Sequence, residues 1–187
     1  MTEPSSSPVL QALGLAAQAL FLSNPNPRVG CVITSGAGKV LGRGFTQQAG
    51  GAHAEVVALQ DAHALGHSVE GAIAYVTLEP CSHHGRTGPC CDALIAAGIA
   101  KVVASLADPN PLVAGQGFAR LKAAGVEVSV GDGAQESFEL NIGFFSRMVR
   151  KTPWVRMKMA ASLDGTTALS NGESQWITSS AARADGH

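Results

Sequence analysis

The order His53-Ala54-Glu55, then Pro80-Cys81, then Cys90 constrains this chain more than any other feature. One imidazole and two thiols suit a single zinc ion, and donors so far apart can serve one ion only in a fold that brings their segments together. The intervening segments indicate how. His53 heads a helical pattern through residue 65, in which Val56, Val57, Leu59 and Leu65 fall close to helical spacing and Gly66 provides a stop. Residues 72–78 read as a strand ending just before Cys81, and Cys90 opens a short helix closed by Gly98. Two ligands at helix starts and one past a strand end can share one rim of a sheet, where open α/β sheets bind their ligands.

The rest of the chain extends this pattern. Ser7 and Pro8 mark the N-cap and first position of a helix expected over residues 9–22, and residues 29–33 and 40–45 flank Ser35-Gly36-Ala37-Gly38 as a hairpin. Strands are predicted over 101–106 and 126–130, a helix over 117–124, and one amphipathic helix from 134 to about 149. Alternation on this scale predicts an α/β protein: a three-layer α/β/α sandwich whose central sheet is mixed, because an antiparallel hairpin precedes mainly parallel strands. Lys151-Thr152-Pro153 reads as a linker, residues 154–160 as a new strand and Leu163-Asp164-Gly165 as a turn. That tail is too short to close a core, so either the chain is cut within a second domain or the tail packs on the first; the expected division is a domain over 1–146 followed by a linker and tail over 147–187.

An apolar fraction of 45% against 14% charged residues excludes a disordered chain. A net charge of -1 leaves no broad basic field, so no nucleic acid is expected as a partner. Cys31, Cys81, Cys90 and Cys91 fit metal binding in a reducing compartment better than two disulfides, since two are adjacent and two accompany a histidine. No Lys or Arg precedes Arg28, so the early apolar run is a helix and not a signal sequence, and the expected location is cytoplasmic. No stretch is long and apolar enough for a membrane span, and apolar helix faces leave self-association into a homo-oligomer open.

His-x-Glu followed by Pro-Cys and a second Cys is the pattern of zinc deaminases, except that eight residues, not two, separate Cys81 from Cys90. Three protein ligands leave one position for water, and Glu55 is placed to take that water's proton and return it to a ring nitrogen and a leaving amine. The start of the Cys90 helix should favour that residue's ionised sulfur. Other residues read less sharply. Cys31 and Cys91 look like small buried apolar residues, and His63 and His67 like helix-surface ones. Glu79 either bonds backbone near the pocket or ends the strand, without a catalytic role. One of His83 and His84 should line the pocket, Arg86 is either a solvated charge or a phosphate contact, and Asp108-Pro109-Asn110-Pro111 is first a turn and second a pocket element.

Together, residues 24–30 (Asn-Pro-Asn-Pro-Arg-Val-Gly), His53-Ala54-Glu55, residues 77–91 and residues 108–111 resemble the bifunctional riboflavin-biosynthesis deaminase/reductases, which carry the eight-residue spacer. The resemblance implies a cytidine-deaminase-like fold, zinc on His53, Cys81 and Cys90, and Glu55 as the catalytic proton carrier. It further implies a small-molecule substrate, 2,5-diamino-6-(5-phosphoribosylamino)pyrimidin-4(3H)-one, hydrolysed to the 5-aminouracil, with Asn26 and His83 on the pyrimidine and Arg86 on the phosphate. Gly88 stands where proline is expected. Residues 158–165 and 172–178 are similar to the opening of that family's dihydrofolate-reductase-like domain, which places Lys158 and Ser174 against substrate and Ala160 and Trp176 against NADPH. With only that opening present, no reductase activity is expected. The alternatives are deamination of another base or nucleoside, and a structural zinc module in which Glu55 is idle.

Overall fold

The computed structural model describes residues 7–83, 88–111 and 114–186. Contacts divide the chain into one compact unit through Pro153 and a second from Trp154. The first unit is built on a five-stranded sheet in the order β2-β1-β3-β4-β5, formed by Gly30–Thr34 (β1), Val40–Phe45 (β2), Ile73–Val76 (β3), Lys101–Ala104 (β4) and Glu127–Val130 (β5). β1 runs antiparallel to both β2 and β3, whereas β3, β4 and β5 are parallel. The mixed sheet is therefore as expected.

Helices cover both faces. Pro8–Gln18 (α1) starts with the Ser7 hydroxyl accepting from the Leu10 N–H at 3.3 Å, and buries Val9, Ala12, Leu13 and Ala16. It lies on β1 so closely that a Cβ at Gly30 would strike the Ala12 carbonyl. Ala54–Ala64 (α2) lies as closely on β2, where a Cβ at Gly42 or Gly44 would strike the carbonyls of Ala58 or Ala54. Gly42 and Gly44 pair with Ile33 and Cys31, and Gly30 is one residue from Cys31, so α1 and α2 sit on opposite faces. Cys90–Ala96 (α3) contacts α2 and Gln116–Ala123 (α4), while Ala134–Leu140 (α5) contacts α1. The result is an α/β/α sandwich around a core that includes Ile33, Val76, Leu94, Val102 and Leu121.

Several local expectations need correction. α1 stops at Gln18, not residue 22: residues 19–22 are continuously apolar and not periodic, and turn bonds from Leu22 and Ser23 to the Ala19 carbonyl redirect the chain toward Pro25 and Pro27. Leu20 and Phe21 are left exposed. The buried stripe of α2 is Ala54, Glu55, Ala58 and Ala62, not the valines and leucines, because glycines on β2 admit only small side chains opposite them. His67 is no free surface residue; its Nδ1 bonds the Leu41 carbonyl at 2.8 Å.

The long helix expected from 134 is broken at Asn141, whose side chain is committed elsewhere. Its Oδ1 accepts the Arg28 N–H at 2.7 Å, and its Nδ2 donates to the Arg28 carbonyl at 2.9 Å and the Ser137 carbonyl at 3.1 Å. The Arg28 guanidinium in turn donates to the Leu140 carbonyl at 2.6 Å. A short helix, Ile142–Phe145 (α6), and a π-helical turn, Ser146–Arg150, follow. They stay with the first unit, since the Ser146 hydroxyl donates to the Thr152 carbonyl and Arg147 to the Pro25 carbonyl. The compact unit thus runs past the boundary expected at 146.

In the second unit the turn at Gly165 forms, with φ of 81° and its N–H on the Ser162 carbonyl, and a helix spans Ser180–Gly186 (α7). The strand expected over 154–160 does not form; these residues are exposed and belong to no sheet among the described residues, and a strand without a partner leaves its backbone groups to water. No helix of the described residues is long and apolar enough to cross a membrane.

Candidate metal centre

The hairpin and the β-α-β crossover bring the three predicted ligands to one end of the sheet. His53 is the N-cap of α2, Cys81 follows the end of β3, and Cys90 is the first residue of α3 behind the Pro89 cap. Their donor atoms all lie within 4.8 Å of one another. The His53 Nδ1 is 3.2 Å from the Cys90 sulfur and 3.5 Å from the Cys81 sulfur. A tetrahedral zinc with bonds of about 2.3 Å to sulfur and about 2.0 Å to nitrogen sets such pairs about 3.5 Å apart, so both donor chemistry and spacing fit that ion.

One electrostatic expectation fails. The first N–H of α3 points not at the Cys90 sulfur but at that of Cys81, at 3.3 Å. Hydrogen bonding from the Cys90 thiol, together with His53 and that N–H, pulls the Cys81 thiol well below its ordinary value. Cys90, as the donor of that bond and buried, is pushed up. The bond to Cys81 likewise raises His53. Cys91 points away from the cluster and donates to the Pro80 carbonyl at 3.1 Å, and Cys31 is fully buried in the sheet.

Glu55 occupies the first turn of α2, only 3% exposed. Burial first, and the Cys81 charge second, raise its carboxyl to about 7. His53, Glu55 and Cys81 line a cavity of about 470 Å³, and Asn26 and His83 line it too. Arg86 and His84 lie outside the described residues. Asp108 and Asn110 also line the cavity, so their loop is more than a turn; the Asp108 carboxylate accepts the Asn110 N–H at 2.8 Å, and burial raises its carboxyl. Glu79 holds this loop in place, with Oε2 accepting from the backbone of Asp108 and Gly115 and Oε1 from Gly117 and Phe118.

Lining residues missed in the sequence include Ala49 to Gly51 and, with larger side chains, Thr46, Phe144, Arg147 and Met148. Thr46 follows β2 and its hydroxyl accepts the Val29 N–H at 3.1 Å. Phe144, Arg147 and Met148 belong to the segment beyond the Asn141 break, and no spacing rule marks them. In the second unit, the Lys158 ammonium donates to the Ala182 carbonyl at 3.1 Å and Trp176 lies under the Arg183 guanidinium at 4.0 Å, while Ala160 and Ser174 are exposed.

A mixed sheet between helical layers, with one imidazole and two sulfurs meeting beside a buried glutamate, defines the cytidine-deaminase-like class of zinc domains. The chain belongs to that family: its defining description, the cytidine and deoxycytidylate deaminase zinc-binding region, matches residues 5–106. A second description, the RibD C-terminal domain, matches residues 153–187. The riboflavin biosynthesis protein RibD of Escherichia coli is 57% identical over 175 residues, covering 94% of this chain and 47% of the relative, and that of Aquifex aeolicus is 46% identical over 176 residues, covering 94% and 48%. Among solved structures, Acinetobacter baumannii RibD superposes with a TM-score of 0.86 at 50% identity, covering 96% of this chain and 49% of that one. A deaminase/reductase from Thermotoga maritima gives 0.85 at 40% identity, covering 91% and 48%. The resemblance read from the motifs holds, and the chain spans about half the length of the curated relatives it matches.

Proposed function

We propose that this chain hydrolytically deaminates 2,5-diamino-6-(5-phosphoribosylamino)pyrimidin-4(3H)-one to 5-amino-6-(5-phosphoribosylamino)uracil, a step of riboflavin biosynthesis. The observation that carries the reading is the meeting of His53, Cys81 and Cys90 beside a cavity that His53, Cys81 and buried Glu55 line. Similarity to RibD proteins over 94% of the chain supports the substrate. His53, Cys81 and Cys90 would hold zinc, which when bound supplies the Lewis acidity that makes water a nucleophile near neutral pH.

The remaining chemistry belongs to side chains of this chain. Glu55, with a carboxyl near neutrality, accepts one proton of the attacking water and hands it to the ring nitrogen, then carries the water's second proton to the amine that departs as ammonia. Asn26 and His83 contact the pyrimidine, and Arg86 neutralises the phosphate. For the second unit, Lys158 and Ser174 are assigned to substrate and Ala160 and Trp176 to NADPH in a complete reductase domain. Glu55→Gln tests the deaminase: zinc content should stay at the wild-type level while ammonia release from the phosphoribosylaminopyrimidine is lost. A rate in Glu55→Gln equal to wild type would instead make the cluster a structural zinc module, and faster ammonia release from cytidine or another nucleoside would move the substrate.

A further inference from the structure

We infer that Arg147 anchors the phosphate of the substrate, a positioning role that rests on the deaminase reading above. A phosphorylated aminopyrimidine brings up to two negative charges into a cavity whose described walls already carry the carboxyl groups of Glu55 and Asp108. Glu79 also reaches that wall, but its oxygens are taken by backbone N–H groups. Cationic groups must offset this repulsion, and besides Arg86, assigned to the phosphate above, Arg147 is the only lysine or arginine among the described residues lining the cavity. Its side chain is held in place: Nη2 donates to the Pro25 carbonyl at 3.0 Å, and the guanidinium lies 5.6 Å from the centre of the Phe144 ring one turn earlier.

That ring is itself braced, edge to face, by Phe145, which packs on Phe138 with centroids 5.0 Å apart. With one Nη2 hydrogen on Pro25, Nε and Nη1 have no acceptor among the described residues, so the second Nη2 hydrogen and the N–H beside it leave a planar pair of donors of the kind that binds phosphate oxygens. Asn26 follows Pro25 directly, so the arginine that clamps this turn also stands beside a residue assigned to the pyrimidine. One group therefore ties the binding of the phosphate to the position of the ring.

The test uses the zinc-loaded chain and ribose 5-phosphate, with ribose as the uncharged control, by titration calorimetry. Arg147→Ala should weaken ribose 5-phosphate binding about tenfold or more, the order expected for losing a charge-assisted hydrogen-bonding pair, and Arg147→Lys should restore part of it as a point charge without the fork. In turnover, the loss should fall on KM more than on kcat. A dissociation constant in Arg147→Ala within about twofold of wild type, or failure of the wild type to bind ribose 5-phosphate better than ribose, overturns the assignment. So does an Arg86→Ala variant that alone abolishes binding while Arg147→Ala leaves it intact. Because the probe needs no turnover, a wild type that binds it yet releases no ammonia refutes the deaminase reading and leaves the phosphate anchor standing.

Discussion

Replacing Glu79 removes the shared acceptor of four backbone donors, at 3.0 Å from Asp108, 2.9 Å from Gly115, 2.8 Å from Gly117 and 3.3 Å from Phe118. The residue is 6% exposed, so bulk water cannot take its place. A buried donor stranded in this way costs about 1–3 kcal/mol, and the two shortest bonds alone amount to about 2–6 kcal/mol. Against a typical domain stability of about 5–15 kcal/mol, Glu79→Ala should fold poorly. Glu79→Gln is the sharper probe. Its amide oxygen can serve either the Asp108 and Gly115 pair or the Gly117 and Phe118 pair, while its NH2 meets the other pair donor to donor. The expected loss is about 2–4 kcal/mol, which at a urea m-value of about 2 kcal/mol/M lowers the unfolding midpoint by about 1–2 M with m unchanged. Since the loop so held carries Asp108 and Asn110 to the cavity, KM should rise as well. A Glu79→Gln midpoint within about 0.3 M of wild type would refute the staple.

Gly44→Ala places a methyl group against the Ala54 carbonyl and should cost about 1–3 kcal/mol in urea unfolding, whereas Gly36→Ala, in open space, should be neutral; equal midpoints would deny the close packing of α2. The same variant displaces the turn holding His53 and Glu55, so zinc affinity in a chelator competition should fall with stability. Asn141→Ala leaves both backbone groups of Arg28 without their partner and should lose about 2–4 kcal/mol, with faster amide exchange at Arg28 as the local signature. Elemental analysis should find one zinc per chain, lost in Cys81→Ser. At free zinc about a thousand times its dissociation constant, the metal adds about 4 kcal/mol to stability, so chelation should lower the melting temperature, and an unchanged melting curve would place no ion at the cluster.

What could be read in advance follows from where each signal resides. His53, Cys81 and Cys90 were legible because each stands at the boundary of an element, and boundaries leave local marks: a strand run ending at Leu78, Pro89 ahead of a helix, an acidic residue in a first turn. The face of α2 was not, because periodicity nominates the largest apolar side chains, and the true contact pairs Ala54, Ala58 and Ala62 with Gly42 and Gly44 on another element. Each half of that match is bland alone.

The break at Asn141 was hidden for the same reason more strongly, since its amide answers the backbone of Arg28, 113 residues earlier, and a window along the chain sees only an unbroken amphipathic run. That one long-range pairing decides more than a helix end. Beyond the break Phe144, Arg147 and Met148 join the cavity wall, so this part of the wall is fixed by tertiary contact, while the His53, Cys81 and Cys90 cluster is fixed by motif. The metal-ligand pattern is thus written locally, and this part of the cavity wall is written across the fold. Loosening the Asn141 tether should accordingly impair substrate binding before it disturbs the zinc cluster, and an Asn141→Ala variant that lost zinc while keeping its KM would reverse that order.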